Sequence, residues 1–241
     1  MGLVAGSGNA TLTFTYVSYD SSDPLAAFFA WISLVPQTIG VLDVAFILSR
    51  REAETILVLC GQTACEIANI LLKLVLAQER PQHGSQFGYG MPSAHAQFMS
   101  FYATYITLWM FFRAHQFTPF KRWSRAIGLY ILSILVCISR VYLSYHSTEQ
   151  VLVGYLVGVI LACIYFFAVV LIREFGLLDY LLDSPICRAL YIKDTAHYKN
   201  FVADEHAAWL ASRPRNVYAS KYASFEKKQR TIVVVDSSKT D

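Results

Sequence analysis

The chain has 241 residues, of which 55% are hydrophobic and only 15% are charged, with a formal net charge of +3 at pH 7. Soluble domains average about 25% charged residues. Because the apolar residues here fall in long blocks, the composition excludes an ordinary soluble globular domain. We therefore expect one polytopic α-helical membrane domain with no nucleic acid partner.

The amino-terminal region, residues 1–24, contains no Lys or Arg. It includes the glycosylation sequon Asn9-Ala10-Thr11, which is usable only if this end of the chain faces the lumen. The first apolar block, 25–48, contains Pro36 as a candidate kink and a lone acid, Asp43. No cleavable signal sequence is expected, because this block is long and follows an uncharged start.

The second apolar block, 53–77, is long enough to cross a bilayer. Its polar residues follow one another at steps of four, three and four, which places them on one helical face: Gln62, Glu66, Asn69 and Lys73. Lipid cannot solvate such a face, so it must point into the bundle or into a wet cavity. Two interpretations stay open, a structural polar seam and a shell that orients Lys73.

Three further apolar blocks follow the loop 78–94, at 95–112, 126–145 and 150–172. The last contains the small-residue repeat Gly154-x-x-x-Gly158-x-x-x-Ala162, a spacing that lets helices approach closely. Packing within one bundle is favoured over homodimerisation, and the sequence leaves the oligomeric state unknown.

The carboxyl-terminal part begins with 177–192, which is apolar but short and interrupted by charges, and which predicts an interfacial or re-entrant piece. Residues 193–241 form a basic tail. Within it, 204–212 is either a short amphipathic helix on the membrane surface or part of a flexible solvated tail.

Basic residues mark one side of the predicted bundle. With five spans, this side holds Arg50, Arg51, Arg113, Lys121, Arg122, Arg125, Arg173 and the tail. The positive-inside rule places these residues in the cytosol. The opposite, lumenal side then holds the amino terminus and three polar clusters, whose only Lys and Arg residues are Lys73, Arg80 and Arg140.

The three polar clusters contain residue types that bind phosphate and transfer phosphoryl groups. Arg is a bidentate partner for phosphate and Lys is a point charge. Ser93 and the amides that follow it begin a helix, which is a natural anion site. His95 and His146 suit proton transfer and nucleophilic attack, so together with three cations they indicate phosphoryl transfer through a phosphohistidine.

Each of these residues also has a structural explanation when taken alone. The arginines could be snorkelling anchors, and His95 could be a helix cap. Their arrival on one face of the membrane favours the catalytic interpretation. A metal site is disfavoured, because this face has no H-x-x-x-H motif or carboxylate cluster, so metal-independent catalysis without a cofactor is expected.

The order and spacing of three motifs resemble the signature of the type 2 phosphatidic acid phosphatase (PAP2) superfamily. They are Lys73-x6-Arg80-Pro81, Pro92-Ser93-Ala94-His95 and Ser139-Arg140-x5-His146. Their surroundings and the segment 191–195 are similar to superfamily members that act on dolichyl diphosphate. The resemblance covers roughly residues 25–195.

The resemblance implies a role for each matching residue. His146 is the nucleophile, His95 is the general acid and later the base, and the phosphoryl oxygens are held by Lys73, Arg80, Ser93 and Arg140. Two positions depart from the pattern. Ala94 stands where Gly is usual, and Gln150 stands where an Asp orients the nucleophile; the neighbouring Glu149 is an alternative partner, although one residue turns it about 100° around a helix.

The resemblance also implies fold and function. The expected fold is an all-α, polytopic transmembrane bundle of the PAP2/haloperoxidase-like type. The superfamily core has six helices, whereas the apolar blocks indicate about five spans, with four to six possible. The expected domains are a lumenal segment 1–24, a catalytic domain 25–192 and a cytosolic tail 193–241.

The expected activity is hydrolysis of dolichyl diphosphate in the endoplasmic reticulum membrane, with the site facing the lumen, which recycles the lipid carrier of N-glycosylation. The expected partners are this lipid and the surrounding bilayer. A broader lipid phosphatase and a non-catalytic lipid-binding protein stay open as alternatives.

Overall fold

A computed structural model of the chain describes residues 5–6, 9–12, 17–81, 88–114, 117–195 and 201–212. The chain divides into two units, Met1–His197 and Tyr198–Asp241. The first unit contains a helix bundle with a small sheet, and the described part of the second is one helix.

The predicted all-α class is confirmed, with a minor β component. The strands are β1 (Ala5–Gly6), β2 (Asn9–Leu12) and β3 (Val17–Asp20). The long helices are α1 (Pro24–Ile32), α2 (Val35–Arg50), α3 (Ala53–Leu76), α4 (Ala94–Phe112), α5 (Pro119–Tyr142) and α6 (Thr148–Glu174). The remaining helices are α7 (Leu177–Leu182), α8 (Pro185–Ala189) and α9 (Phe201–Ser212).

The first apolar block forms two helices that are broken at Ser33 and Leu34. The side chain of Asp23 caps α1 by accepting from the amide of Leu25 at 2.8 Å. Pro36 lies in the first turn of α2, where it lacks an amide hydrogen and its ring obstructs the carbonyl four residues earlier. The predicted kink is therefore a complete interruption of the helix.

Helix α4 lies at the centre of the bundle and packs against α3, α5 and α6. Its buried residues include the polar Gln97, Ser100 and Thr104, which are 1%, 0% and 5% exposed. Nineteen residues span ~28 Å, close to the ~30 Å thickness of the hydrocarbon core. A helix can be this polar inside a membrane only where neighbouring helices cover its polar face.

Among the described residues, four stretches are both long and apolar enough to cross a membrane. They are Pro24–Arg50, Ala53–Leu76, Pro119–Tyr142 and Thr148–Glu174. This number lies within the predicted range of four to six. The predicted block 95–112 corresponds to α4, which is not among these four because its buried polar residues lower its hydropathy.

The small residues of α6 face α4, so the predicted packing of this repeat within the bundle is confirmed. A Cβ atom on Gly154 would lie 2.6 Å from the backbone oxygen of Ser93, and one on Gly158 would overlap Ser100 and the carbonyl of Gln97. Ala162 is fully buried. The absence of side chains at these glycines therefore sets how closely α6 approaches the start of α4.

The amino-terminal sheet is not predicted by the sequence analysis. Its three strands are antiparallel in the order β1-β2-β3, and Asn9 of the sequon lies in β2. Val17 of β3 packs against Ala30 of α1 and Tyr145 of the α5–α6 turn. The sheet therefore contacts the end of the bundle that holds the predicted site.

The segment 193–195 joins helix ends at the opposite side of the bundle. The amide of Ala53 donates to the carbonyl of Lys193 at 2.8 Å, and the hydroxyl of Thr195 donates to Glu52 at 2.9 Å. Asp194 pairs with Arg173, which also contacts Glu54 at 2.6 Å. The predicted domain boundary at residue 193 stays a prediction, and these three residues pack with the bundle.

The other differences from the sequence analysis have local causes. Helix α5 begins seven residues before the predicted block, because Thr118 caps it and Pro119 follows. The segment 177–192 forms the short helices α7 and α8, whose six and five residues are too few to cross a bilayer. Helix α9 covers the tail segment 204–212, and its association with a membrane surface stays a prediction.

Replacing Arg173 by Ala should destabilise the protein, because it leaves the carboxylates of Glu54 and Asp194 buried without their cation. We expect the free energy of unfolding to fall by about 3–5 kcal/mol. Thermal unfolding in detergent measures the change. The matched control is Arg188→Ala, since its pair with Asp183 has side chains 69% and 74% exposed and is worth at most about 1 kcal/mol. Equal losses in the two variants would contradict a stabilising role for the buried pair.

Candidate active site

The turn between α5 and α6 positions Arg140 and His146. The backbone carbonyl of Arg140 accepts from the amide of Tyr145 at 3.0 Å and from the amide of His146 at 3.2 Å. Ser144 adopts a left-handed conformation with φ 58°, which reverses the chain after α5. These bonds fold the Arg-x5-His spacing into a compact turn, so both side chains are placed by the same backbone.

Gln150 orients the His146 ring. Its Oε1 atom lies 3.2 Å from Nδ1 of His146, and it also accepts from the amide of Ser147 at 3.3 Å. Ser147 caps α6 in return by accepting from the amide of Gln150. An amide oxygen only accepts, so Nδ1 of His146 carries the hydrogen and Nε2 keeps its lone pair. Glu149 is exposed, so the structure places Gln150 rather than Glu149 against this ring.

The nitrogen of the same Gln150 amide reaches the first motif. Nε2 of Gln150 donates to the backbone carbonyl of Glu79 at 2.8 Å. Glu79 immediately precedes Arg80, so this bond ties the segment after α3 to the start of α6. A carboxylate at position 150 could not donate it. Gln150, where the superfamily has Asp, thus makes a bond to the Glu79 carbonyl that Asp could not make.

Two glycines let the motifs approach Gln150. A Cβ atom on Gly90 would lie 2.6 Å from Nε2 of Gln150. The backbone carbonyl of Gln150 accepts from the backbone amide of Ser93 at 3.0 Å. One turn later along α6, Gly154 also packs against Ser93. The second motif is therefore held against α6 by backbone contacts that leave no room for a side chain.

Ser93 and the first turn of α4 have the features of an anion site. Ser93 is the residue before the helix and is fully buried, yet its side chain makes no capping bond. In the described part of the chain its hydroxyl has no hydrogen-bond partner. The first amides of the helix point the same way as the positive end of the helix dipole. This combination suits a phosphoryl oxygen.

The polar face of α3 contacts the second motif. Nδ2 of Asn69 donates to Gln97 at 2.7 Å and to the carbonyl of Pro92 at 3.3 Å, and Gln97 donates to the carbonyl of Cys65 at 2.8 Å. Asn69 therefore supports the loop before Ser93. The structural interpretation of the face holds for Asn69, and the orientation of Lys73 by this face stays a prediction.

Three cations from three segments act on His146. Arg140 is 2% exposed, and its guanidinium lies over the ring of Tyr145 at 4.1 Å. Burial, followed by the positive charges of Arg140 and Arg80, lowers the pKa of His146 to about 3. The bond to Gln150 opposes this shift, and the charge of Lys73 adds the smallest lowering effect. His146 is therefore neutral near pH 7, as a nucleophile must be. A bound phosphate would offset these charges.

His95 completes the set. Arg140, His146 and Lys73 interact electrostatically with its ring, so the structure brings all the residues predicted from the sequence to one end of the bundle. His95 also borders a lateral cleft of about 400 Å³ that opens between α2, α3 and α4. The cleft is lined by Pro36, Gln37, Gly40, Leu59, Gln62, Thr63, Glu66, Ala94, His95 and Phe98.

Several residues near the site are not predicted from the sequence. Tyr145 lies under Arg140 and its hydroxyl accepts from the amide of Ser18 at 2.8 Å. Gln97 supports Asn69, and Gln37 contacts His95 at 3.3 Å. An amide inside an apolar block is the available signal for Gln37 and Gln97. Tyr145 gives no such signal, because an aromatic at a helix end is common.

Comparison with known proteins gives consistent matches. Residues 55–173 match the PAP2 superfamily. The chain is 39% identical over 189 residues to dolichyldiphosphatase of Saccharomyces cerevisiae, which covers 75% of this chain and 79% of that protein. It is 33% identical over 217 residues to lipid phosphate phosphatase gamma of Arabidopsis thaliana, which covers 84% and 92% respectively.

A solved structure has the same fold. The PAP2-type transmembrane phosphatidylglycerolphosphate phosphatase from Bacillus subtilis matches with a TM-score of 0.51 and 21% identity. The match covers 59% of this chain and 76% of that protein. At this identity the similarity establishes the fold alone.

The lowered pKa of His146 predicts that its ring stays neutral through the range where an ordinary histidine, with a pKa near 6.5, becomes protonated. We expect the ¹⁵N NMR signals of this ring, identified by their loss in His146→Ala, to be unchanged between pH 7.5 and 5. Replacing Lys73 by Met removes one repelling cation and should move the midpoint upward. A midpoint near 6.5 in the unaltered protein would contradict the electrostatic account.

The same shift makes the folded protein less stable in acid. Below pH 6.5 the unfolded chain binds a proton at His146 that the folded chain does not, so stability falls as the pH decreases from about 6.5 toward 3.

Proposed function

The chain belongs to the PAP2 superfamily, as its motifs predict, and on that premise we propose that it is a metal-independent lipid diphosphatase. It hydrolyses dolichyl diphosphate to dolichyl phosphate and inorganic phosphate through a phosphohistidine. One observation carries the proposal. The bond from His146 to Gln150 leaves Nε2 as an acceptor beside three cations, which is the arrangement that attack on a phosphate requires.

The first step transfers the terminal phosphoryl group to the enzyme. Nε2 of His146 donates its lone pair to the terminal phosphorus, and the bond from that phosphorus to the bridging oxygen breaks. The bridging oxygen leaves with dolichyl phosphate and takes a proton from protonated His95. The hydrogen on Nδ1 of His146 stays bonded to Gln150, which stabilises the positive charge of the phosphorylated ring.

The second step restores the enzyme. Neutral His95 accepts a proton from water as the water oxygen attacks the phosphohistidine. The bond between phosphorus and Nε2 of His146 breaks, its electrons return to the ring, and inorganic phosphate is released. His95 then carries the proton that the next turnover needs, so acid and base are one residue.

The phosphate cradle, consisting of Lys73, Arg80, Ser93 and Arg140, stabilises the charge on the phosphoryl oxygens. Arg140 is held against Tyr145 and Arg80 follows the segment bonded to Gln150, so both guanidinium groups are positioned before the substrate arrives. Such preorganisation is the main contribution to phosphoryl transfer, because the transition state carries charge on three equatorial oxygens.

The neutral Gln150 fits a diphosphate better than a monoester. A lipid monophosphate has a second pKa of about 6 and leaves readily. A lipid alcohol leaves a monoester poorly, since its pKa is near that of water, about 15.7. A nucleophile without a charged partner therefore suffices for the diphosphate.

The lateral cleft gives the polyprenyl chain a route to the site. It lies between α2, α3 and α4 and is bordered by His95, where the leaving lipid phosphate is protonated. Its lining is largely apolar along Pro36, Leu59 and Phe98. The lipid thus stays in the bilayer while its head group reaches the cradle.

The chain is a membrane protein, and we place it in the endoplasmic reticulum with the site facing the lumen. The basic residues between the predicted spans support this orientation, because they lie on the side opposite the cradle. In this compartment the reaction recycles the lipid carrier of N-glycosylation.

A broader lipid phosphatase is the second candidate. It is favoured by the similarity to the plant protein named lipid phosphate phosphatase gamma. The mechanism would be the same, with phosphatidate or another isoprenoid phosphate as the substrate.

Phosphate release by the purified protein in detergent, with a chelator present, tests the proposal. We expect release from dolichyl diphosphate in preference to dolichyl phosphate and phosphatidate, and complete loss in His146→Ala. Equal release from phosphatidate would favour the broader phosphatase. Folded protein without activity on any of the three lipids would favour the non-catalytic alternative.

Replacing Gln150 by Leu should lower kcat about 10- to 100-fold, because it removes the acceptor for His146 and the donor to Glu79 from a buried site. Gln150→Glu keeps an acceptor and should retain more activity than the Leu variant. The control is Glu149→Gln, which changes the exposed neighbour and should leave kcat unaltered. Loss of activity in the control but not in Gln150→Leu would assign the orienting role to Glu149.

A further inference from the structure

The break between α1 and α2 exposes backbone carbonyls at the level of His95. Ser33 is fully buried, and its hydroxyl donates to the carbonyl of Ala30 at 2.7 Å. The backbone of Ser33 also hydrogen bonds to the His95 ring. Carbonyls that a continuous helix would use internally are thus available to the site.

Gln37, one turn into α2, connects this break to His95. Its amide end lies 3.3 Å from Nε2 of His95. The surrounding acceptors fix the orientation of the amide, because its nitrogen can donate to the carbonyls of Leu34 at 3.1 Å and Ser33 at 3.2 Å. Its oxygen then faces Nε2 of His95 as an acceptor.

This contact, together with the bond between the ring and the backbone of Ser33, determines which nitrogen of His95 is available for chemistry. An amide oxygen accepts only from a protonated ring nitrogen, so Nε2 keeps its hydrogen in the neutral ring. The proton that moves must therefore be exchanged at Nδ1. The arrangement repeats that of His146, whose other ring nitrogen is bonded to the oxygen of Gln150.

We propose that Gln37 is a positioning residue for His95, which fixes the ring so that Nδ1 delivers the proton to the leaving oxygen and later takes one from water. The inference rests on the proposed function for the role of His95. Gln37 lies outside the stretch 55–173 that matches the superfamily, so the helix pair before that stretch contributes to the site.

His95 loses one proton in the first step and regains one in the second. In the first step the Nδ1–H bond breaks and the bridging oxygen gains the proton, which leaves the neutral ring with its hydrogen on Nε2. In the second step water loses a proton to Nδ1. The hydrogen on Nε2 stays bonded to Gln37 throughout, so the ring does not need to rotate between the two steps.

The first measurement is the ¹⁵N NMR spectrum of His95, identified by its loss in His95→Ala. We expect the neutral ring of the unaltered protein to carry its hydrogen on Nε2, and Gln37→Leu or Gln37→Asn to give a mixture of tautomers. The matched control is Thr38→Val, because Thr38 is the next residue of α2 and bonds only the carbonyl of Leu34 among the described contacts. A hydrogen on Nδ1 in the unaltered protein would overturn the proposal.

The second measurement is steady-state phosphate release from dolichyl diphosphate. Gln37→Leu should lower kcat about tenfold, the effect of one lost hydrogen bond, with KM changed less than about twofold. Gln37→Glu keeps an acceptor and should restore most of kcat, and Thr38→Val should behave like the unaltered protein. An unchanged kcat in Gln37→Leu, or a change in KM alone, would assign Gln37 to the lining of the lipid cleft and overturn the proposal.

The two measurements separate this inference from the proposed function. Absence of phosphate release by the unaltered protein would contradict the proposed function, while the tautomer of His95 would still be readable. Activity in the unaltered protein with no tautomer change in Gln37→Leu would contradict the positioning role alone.

Discussion

Mutual repulsion between Lys73, Arg80 and Arg140 is the constraint around which this bundle is built. Three positive charges act on one buried imidazole, and each charge is costly where water is scarce. Such an arrangement persists only if rigid elements hold the charges until an anion arrives. A bound anion would relieve the same repulsion that makes the empty site unfavourable.

Neutral amide side chains hold the segments that carry these charges in place. Gln150 bonds His146 and the segment before Arg80, Asn69 bonds the loop before Ser93, and Gln37 bonds His95. An amide both donates and accepts, so one side chain can join an acceptor on one segment to a donor on another, whereas a carboxylate only accepts. A carboxylate would also neutralise part of the charge that attracts phosphate. The small residues along α6 bring that helix close to Ser93 and Gln97 at the start of α4.

The sequence predicts the residues that carry the chemistry better than it predicts the contacts that hold them. The apolar blocks predict the long helices closely, because burial in lipid requires a continuous apolar stretch. The motifs predict relatedness to the PAP2 superfamily, which is confirmed, whereas the roles of individual residues stay predictions. Missed features, such as the contact of Gln37 with His95 and the pairing of Asp194 with Arg173, join residues far apart in the chain.

The bond between Ser18 and Tyr145 joins residues that are 127 positions apart. Arg140 and His146 are likewise made long after Lys73 and Arg80, with 66 residues separating Arg80 from His146. At about 5–20 residues per second, a ribosome needs roughly 3–13 s to synthesise that interval. During biosynthesis Lys73 and Arg80 are therefore made several seconds before the turn that contains His146. Catalytic competence is consequently acquired late, only once α6 has been inserted and Ser147 and Gln150 have closed its first turn.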